Sequence, residues 1–105
     1  MFHPAVQLTI ITEHFLTDRI CKIIEAGGAK GYTLVSVGGK GLHHRHSMQD
    51  KATVVEGFDN IKIEVITGNR ETAERIAKRV LDECLTDYPG IMFLDTVEVC
   101  RSDRF

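Results

Sequence analysis

No apolar run in these 105 residues approaches the ~20 that a membrane-spanning helix needs, so a span of that kind is not expected. Charge of one sign is not in excess either. The 13 Lys and Arg against 15 Asp and Glu leave a formal net charge of −2. A dedicated nucleic-acid binder carries a clear basic excess, so that class is disfavoured. The start "MFHPAVQLTIITEH" lacks a basic n-region and a small-residue cleavage site, and no signal peptide is expected. Cysteines are few and odd in number: Cys21, Cys84 and Cys100 lie far apart, each within a periodic apolar segment. They read as reduced core thiols of a cytoplasmic protein rather than as a disulfide framework. Hydrophobic content of 43% and charged content of 27% are ordinary for a globular chain, and the length fits one domain, residues 1–105.

The short β-branched run "VQLTIIT" (Val6 to Thr12) reads as a strand. In "TDRICKIIEAGG", Thr17 or Asp18 is the expected N-cap, Ile20, Ile23 and Ile24 form a helical stripe, and Gly27-Gly28 is the stop. A second strand, "YTLVSVGG", ends in Gly38-Gly39. "NIKIEVIT" alternates Ile61, Ile63 and Val65 with Lys62 and Glu64, the pattern of a strand with one solvated face. The clearest helix is "NRETAERIAKRVLDECL". There Asn69 is the cap, and Ala73, Ile76, Ala77, Val80, Leu81, Cys84 and Leu85 form one buried stripe. Glu71–Arg75 and Glu74–Lys78 are the expected supporting pairs at i,i+4 spacing. "TDYPG" is a turn, and "IMFLDTVEV" the last strand.

The order β-α-β-β-α-β is that of a ferredoxin-like α+β sandwich, an antiparallel sheet with two helices on one face. One connection is too long for it. From Gly39 to about Asn60 runs a stretch of roughly 20 residues between strands that should form a hairpin, and loops beyond ~12–15 residues are functional or disordered as a rule.

The first half of that loop, "VGGKGLHHRHSMQDK", concentrates the unusual chemistry. In "GGKG", Gly38, Gly39 and Gly41 let the backbone approach a ligand, successive amides form an anion nest, and Lys40 adds a point charge. By itself such a strand end is more often only a turn. "HHRH" raises a metal alternative through His43, His44 and His46, since neutral imidazole binds Zn, Cu or Ni. No cysteine or carboxylate stands at the usual ligand spacing, so a solvated or partner-facing loop is preferred. Arg45 and His46 would instead fold back onto a phosphate, which Arg holds bidentately. Arg101 follows the last strand and is a candidate for an anion in a cleft between subunits. No nucleophile–base pair is placed by spacing, and an enzyme is not expected. An RNA-binding sheet needs stacking aromatics, which "IKIEVIT" and "LTIIT" lack; the exception, Phe93, is expected in the core.

Several motifs in order carry a resemblance: Thr12-Glu13, "KIIEAGGAKGYT" at Lys22 to Thr33, "GGKG" at Gly38 to Gly41, "NRETAERIA" at Asn69 to Ala77, and "TDYPGI" at Thr86 to Ile91. Over nearly its whole length the chain resembles the PII signalling proteins. It is most similar to the PII-like branch of carboxysome-associated PII proteins and bicarbonate-transporter regulators of the SbtB-like kind. The resemblance implies a homotrimer with an adenine nucleotide in each inter-subunit cleft: ADP or AMP, with cAMP or ATP as further candidates. It also implies a T-loop, about residues 39–59, that reaches a protein partner, either a bicarbonate transporter or a carboxysome-related protein.

Carried over by position, the nucleotide cleft would be lined by Ile11, Thr33, Gly38, Gly39, Lys40, Gly41, Arg45, His46, Ile66, Pro89, Gly90, Ile91 and Arg101. Bicarbonate, which the carboxysome-associated members bind together with nucleotide, would lie at Gly39, Lys40, Gly41 and Arg101. The chain departs from the nitrogen-signalling members at three points. Gly90 stands where their phosphate-gripping lysine would be, Asp103 replaces a basic residue, and the T-loop contains no tyrosine to modify. The first two departures favour mono- or diphosphate over triphosphate.

Overall fold

The computed structural model describes residues 1–38 and 59–101. Four strands form a single antiparallel sheet: β1 (His3–Glu13), β2 (Tyr32–Val37), β3 (Asn60–Thr67) and β4 (Gly90–Val99). Their order across the sheet is β2-β3-β1-β4. Two helices, α1 (Thr17–Ala26) and α2 (Arg70–Val80), complete the expected β-α-β-β-α-β chain order. The α+β ferredoxin-like reading is therefore the observed fold.

β1 is longer than its β-branched run suggests. It starts at His3 and includes Pro4, which cannot donate to a ladder. Pairing with β3 begins only at Val6, so at Pro4 that side of β1 is open and the missing N–H costs nothing. Alternation then sorts the faces. Leu8 and Ile10 of β1 meet Ile61, Ile63 and Val65 of β3 beneath Ile20, Ile24, Ile76 and Val80 of the helices, all fully buried or nearly so.

Sequence expectation and structure differ at several local points. A single 3₁₀ turn, His14–Leu16, runs directly into α1, so Thr17 is the first helical residue rather than a cap. Its hydroxyl donates backwards to the His14 carbonyl at 2.6 Å. The stop at Gly27-Gly28 holds. Gly28 takes φ +97°, and the amides of Gly28 and Ala29 reach the carbonyls of Glu25 and Ile24, a Schellman arrangement. At α2, Asn69 caps as expected and accepts the Thr72 amide at 2.8 Å. The helix pairs are different ones: Arg70 with Glu74, Lys78 with Asp82, Arg79 with Glu83. Glu74 stands four residues from both Arg70 and Lys78 and takes Arg70, while Arg75 donates to the carbonyl of Gly27, the residue that caps α1.

The end of α2 widens into a π turn, Leu81–Leu85. Cys84 stays buried there, but Leu81 lies at the margin of the stripe and is 50% exposed. Cys21 is buried too, whereas Cys100 is exposed, because sheet pairing ends at Val99. Only two of the three thiols belong to the core.

Candidate functional site

Turned away from the helices, the sheet presents Gln7, Thr9 and Ile11 of β1, Thr33 and Val35 of β2, Lys62, Glu64 and Ile66 of β3, and Ile91 and Phe93 of β4. This follows from the two-residue period and the register. Phe93 is not core: it sits opposite Thr9 on this outer face and is 43% exposed. Ile91 and Val35 are also exposed, and nothing among the described residues covers them.

The site residues expected from sequence fall into two groups on this face. Thr33, Ile66 and Arg101 line one pocket of about 490 Å³, together with Gly31, Glu64 and Phe2. Apolar Phe2, Ile66 and Val99 form part of its wall, with two carboxylates (Glu64 and Glu98) and one guanidinium (Arg101) in the same lining. Such a lining offers both apolar and polar contacts to a ligand. Glu64 is held by the Gln7 side-chain amide, which donates at 3.5 Å, and by the Lys62 ammonium at 3.7 Å.

Ile11, Ile91, Pro89, Gly90 and Gly38 form the second group. Ile11 is opposite Ile91, Thr12 is opposite Gly90, and Val37, next to Gly38, is opposite Asn60. Ile11 is opposite Lys62, four positions along β3 from Ile66 and two from Glu64, so this group begins ~14 Å along the strands from Ile66, and only the Asn60 end reaches ~20 Å. At this second end the long loop leaves after Gly38 and returns at Asp59, whose carbonyl accepts the His14 amide at 2.9 Å. Gly39, Lys40, Gly41, Arg45 and His46, and the histidines of the metal alternative, His43, His44 and His46, lie outside the described residues. Among the described residues no cluster of His, Cys, Asp or Glu is arranged to hold a metal.

Sequence reasoning missed Phe2, Gly31 and Glu64. Glu64 was legible as a solvated position of an alternating strand. That this side of the strand is a pocket wall depends on the chain end after Val99 coming alongside, which periodicity cannot report. A solvent-facing pair beside the pocket strand was missed as well. The Tyr32 hydroxyl donates to a Glu25 carboxylate oxygen at 2.7 Å. Burial pushes the Cys21 and Cys84 thiols above their ordinary values.

The family model for nitrogen regulatory protein P-II matches residues 5–104. A PII-like signalling protein of Thermus thermophilus is 30% identical, with a TM-score of 0.77, over 97% of this chain and 95% of that one. CPII of Thiomonas intermedia, a nitrogen regulatory PII-like protein solved with ADP, AMP and bicarbonate, is 22% identical with a TM-score of 0.78, covering 100% of both chains. GlnK of B. subtilis, solved with ATP, is 20% identical over 92% of this chain and 84% of that one, with a TM-score of 0.61.

Proposed function

The chain belongs to the P-II family, and we propose that it is a homotrimeric, non-catalytic regulator that binds ADP or AMP in clefts between subunits. One observation carries this reading: the expected site residues fall into two separate groups, Thr33, Ile66 and Arg101 around a pocket and Ile11, Gly90 and Ile91 beside the loop base, with an exposed sheet face between copies to join them. Packing copies through the exposed outer face would bring the Thr33–Ile66–Arg101 pocket of one subunit against the Ile11–Gly90–Ile91 end of the next. The pocket would then hold the base and ribose. The phosphates would lie between Arg101 and the loop base, where Gly38, Gly39, Lys40 and Gly41 form the anion nest and Arg45 and His46 close over it. Gly90 offers no side-chain charge, which favours ADP and AMP over ATP.

The ligands of CPII support bicarbonate as a second ligand. Bicarbonate is small, planar and singly charged, and the amides of Gly39 and Gly41 with the charge of Lys40 or Arg101 suit it. Such a site alone is weak, because desolvating a small anion offsets most of the gain. Nucleotide alongside completes it, so the two bind cooperatively, and nucleotide shifts the loop toward the state that meets its partner. The loop then docks on or leaves a protein partner in inorganic-carbon metabolism, a bicarbonate transporter or a carboxysome-related protein, in the cytoplasm.

Calorimetry with AMP, ADP and ATP, each with and without millimolar bicarbonate at fixed pH and ionic strength, tests this reading. ADP and AMP should bind more tightly than ATP. Bicarbonate should tighten ADP by the same factor by which ADP tightens bicarbonate. No binding of any nucleotide overturns the reading, and equal ADP affinity in both buffers removes bicarbonate from it.

A further inference from the structure

Thr12 is a hydroxyl on the wrong face. It follows Leu8 and Ile10 on the helix side of β1 and is completely buried at the end of the core. A hydroxyl buried there needs an acceptor. It finds one 77 residues away, donating to the Pro89 carbonyl at 2.7 Å. The contact is close because residue 90 is glycine. A Cβ on Gly90 would stand 3.0 Å from the Thr12 oxygen and 2.8 Å from Cδ2 of Leu85, nearer than side chains pack.

The consequence lies in the next amide. No peptide bond among the described residues is cis, and in a trans peptide the C=O and N–H point in opposite directions. A Pro89 carbonyl drawn onto β1 therefore turns the Gly90 N–H away from β1, toward the side of β4 where no described strand pairs. Two other contacts hold the same turn from different directions. The Thr86 hydroxyl donates to the Leu81 carbonyl at 2.9 Å, and the Tyr88 ring meets Phe15 edge-on with centroids 4.9 Å apart. The turn is thus built before any ligand arrives.

We propose that Thr12 is a positioning residue: through the Pro89 carbonyl it aims the Gly90 amide at the terminal phosphate of a bound nucleotide. It does not touch the ligand itself. The proposal rests on the nucleotide reading above and assigns the diphosphate preference to a fixed backbone donor where a flexible cation would otherwise stand. Preorganised donors need no reorganisation on binding, so their loss is felt only by ligands that carry the matching charge.

The test titrates adenosine and ADP into the full chain and into Thr12→Val and Thr12→Ser, with thermal unfolding of each. Valine should weaken ADP about tenfold, the effect of losing ~1.4 kcal/mol, and leave adenosine unchanged. Serine should restore most of the ADP affinity. Equal losses for adenosine and ADP, or ADP affinity unchanged in the valine variant, overturn the assignment while leaving the nucleotide reading intact. Wild-type chain that binds neither ligand overturns both. Should valine unfold the protein, the Gly90 amide of the ¹⁵N-labelled wild type decides: its resonance must shift with ADP and stay in place with adenosine, and an amide unmoved by ADP ends the proposal.

Discussion

At the residue scale, polar groups at strand ends and helix faces have been given specific partners. The pair formed by Tyr32 and Glu25 has a measurable consequence. The hydrogen bond to Glu25, then that to Cys21, push the Tyr32 phenol well above its ordinary value. A folded-state value above the unfolded one contributes stability that is present below the unfolded value of ~10 and is lost as pH rises through the folded one. Alkaline absorbance titration should therefore show one of the tyrosines ionising late, with stability falling across that range. Glu25→Gln should bring that step back toward ~10. A Tyr32 that titrates identically with and without Glu25 would contradict the assignment.

At the scale of elements, the ends matter more than the middles. α2 begins where Asn69 accepts the Thr72 amide, and the Thr67 hydroxyl donates to the Asn69 carbonyl at 2.9 Å, joining β3 to the helix. Asn69→Ala should cost about 1 kcal/mol, the usual worth of such a cap, in the midpoint of chemical denaturation. The exposed ion pairs along α2 and its last turn should contribute little, since solvent screens them. A cap substitution without effect would mean that packing of Ala73, Ile76 and Val80 alone sets the helix start.

At the scale of the whole molecule, the outer sheet face leaves Val35, Ile91 and Phe93 40%, 51% and 43% exposed, and among the described residues β2 is an edge strand without a charged side chain. An uncharged open edge beside an apolar face invites association. Light scattering at micromolar concentration should give the mass of three chains, and Phe93→Glu should lower it together with nucleotide affinity, since each cleft is expected to draw on two subunits. A monomeric wild type that still binds ADP would break that link.

Much of this was legible in the chain itself, because local physics writes it there. The two-residue alternation of Ile61, Ile63 and Val65, the stripe of α2, the Asn69 cap and the Gly28 stop each depend on neighbours only a few positions away. The motifs from Thr12 to Ile91 pointed to the family and so to the candidate residues. What the sequence could not decide were relations between distant residues. It gave no sign that Thr12 holds Pro89, that Cys100 falls just beyond the last paired residue, or that Glu64 faces a pocket closed by the chain after Val99. Nor could it show Phe93 turned outward, or that Thr33 lines a pocket to which Gly90 does not belong. Those follow from register and strand order, which set which side chains meet, and only the assembled sheet fixes them.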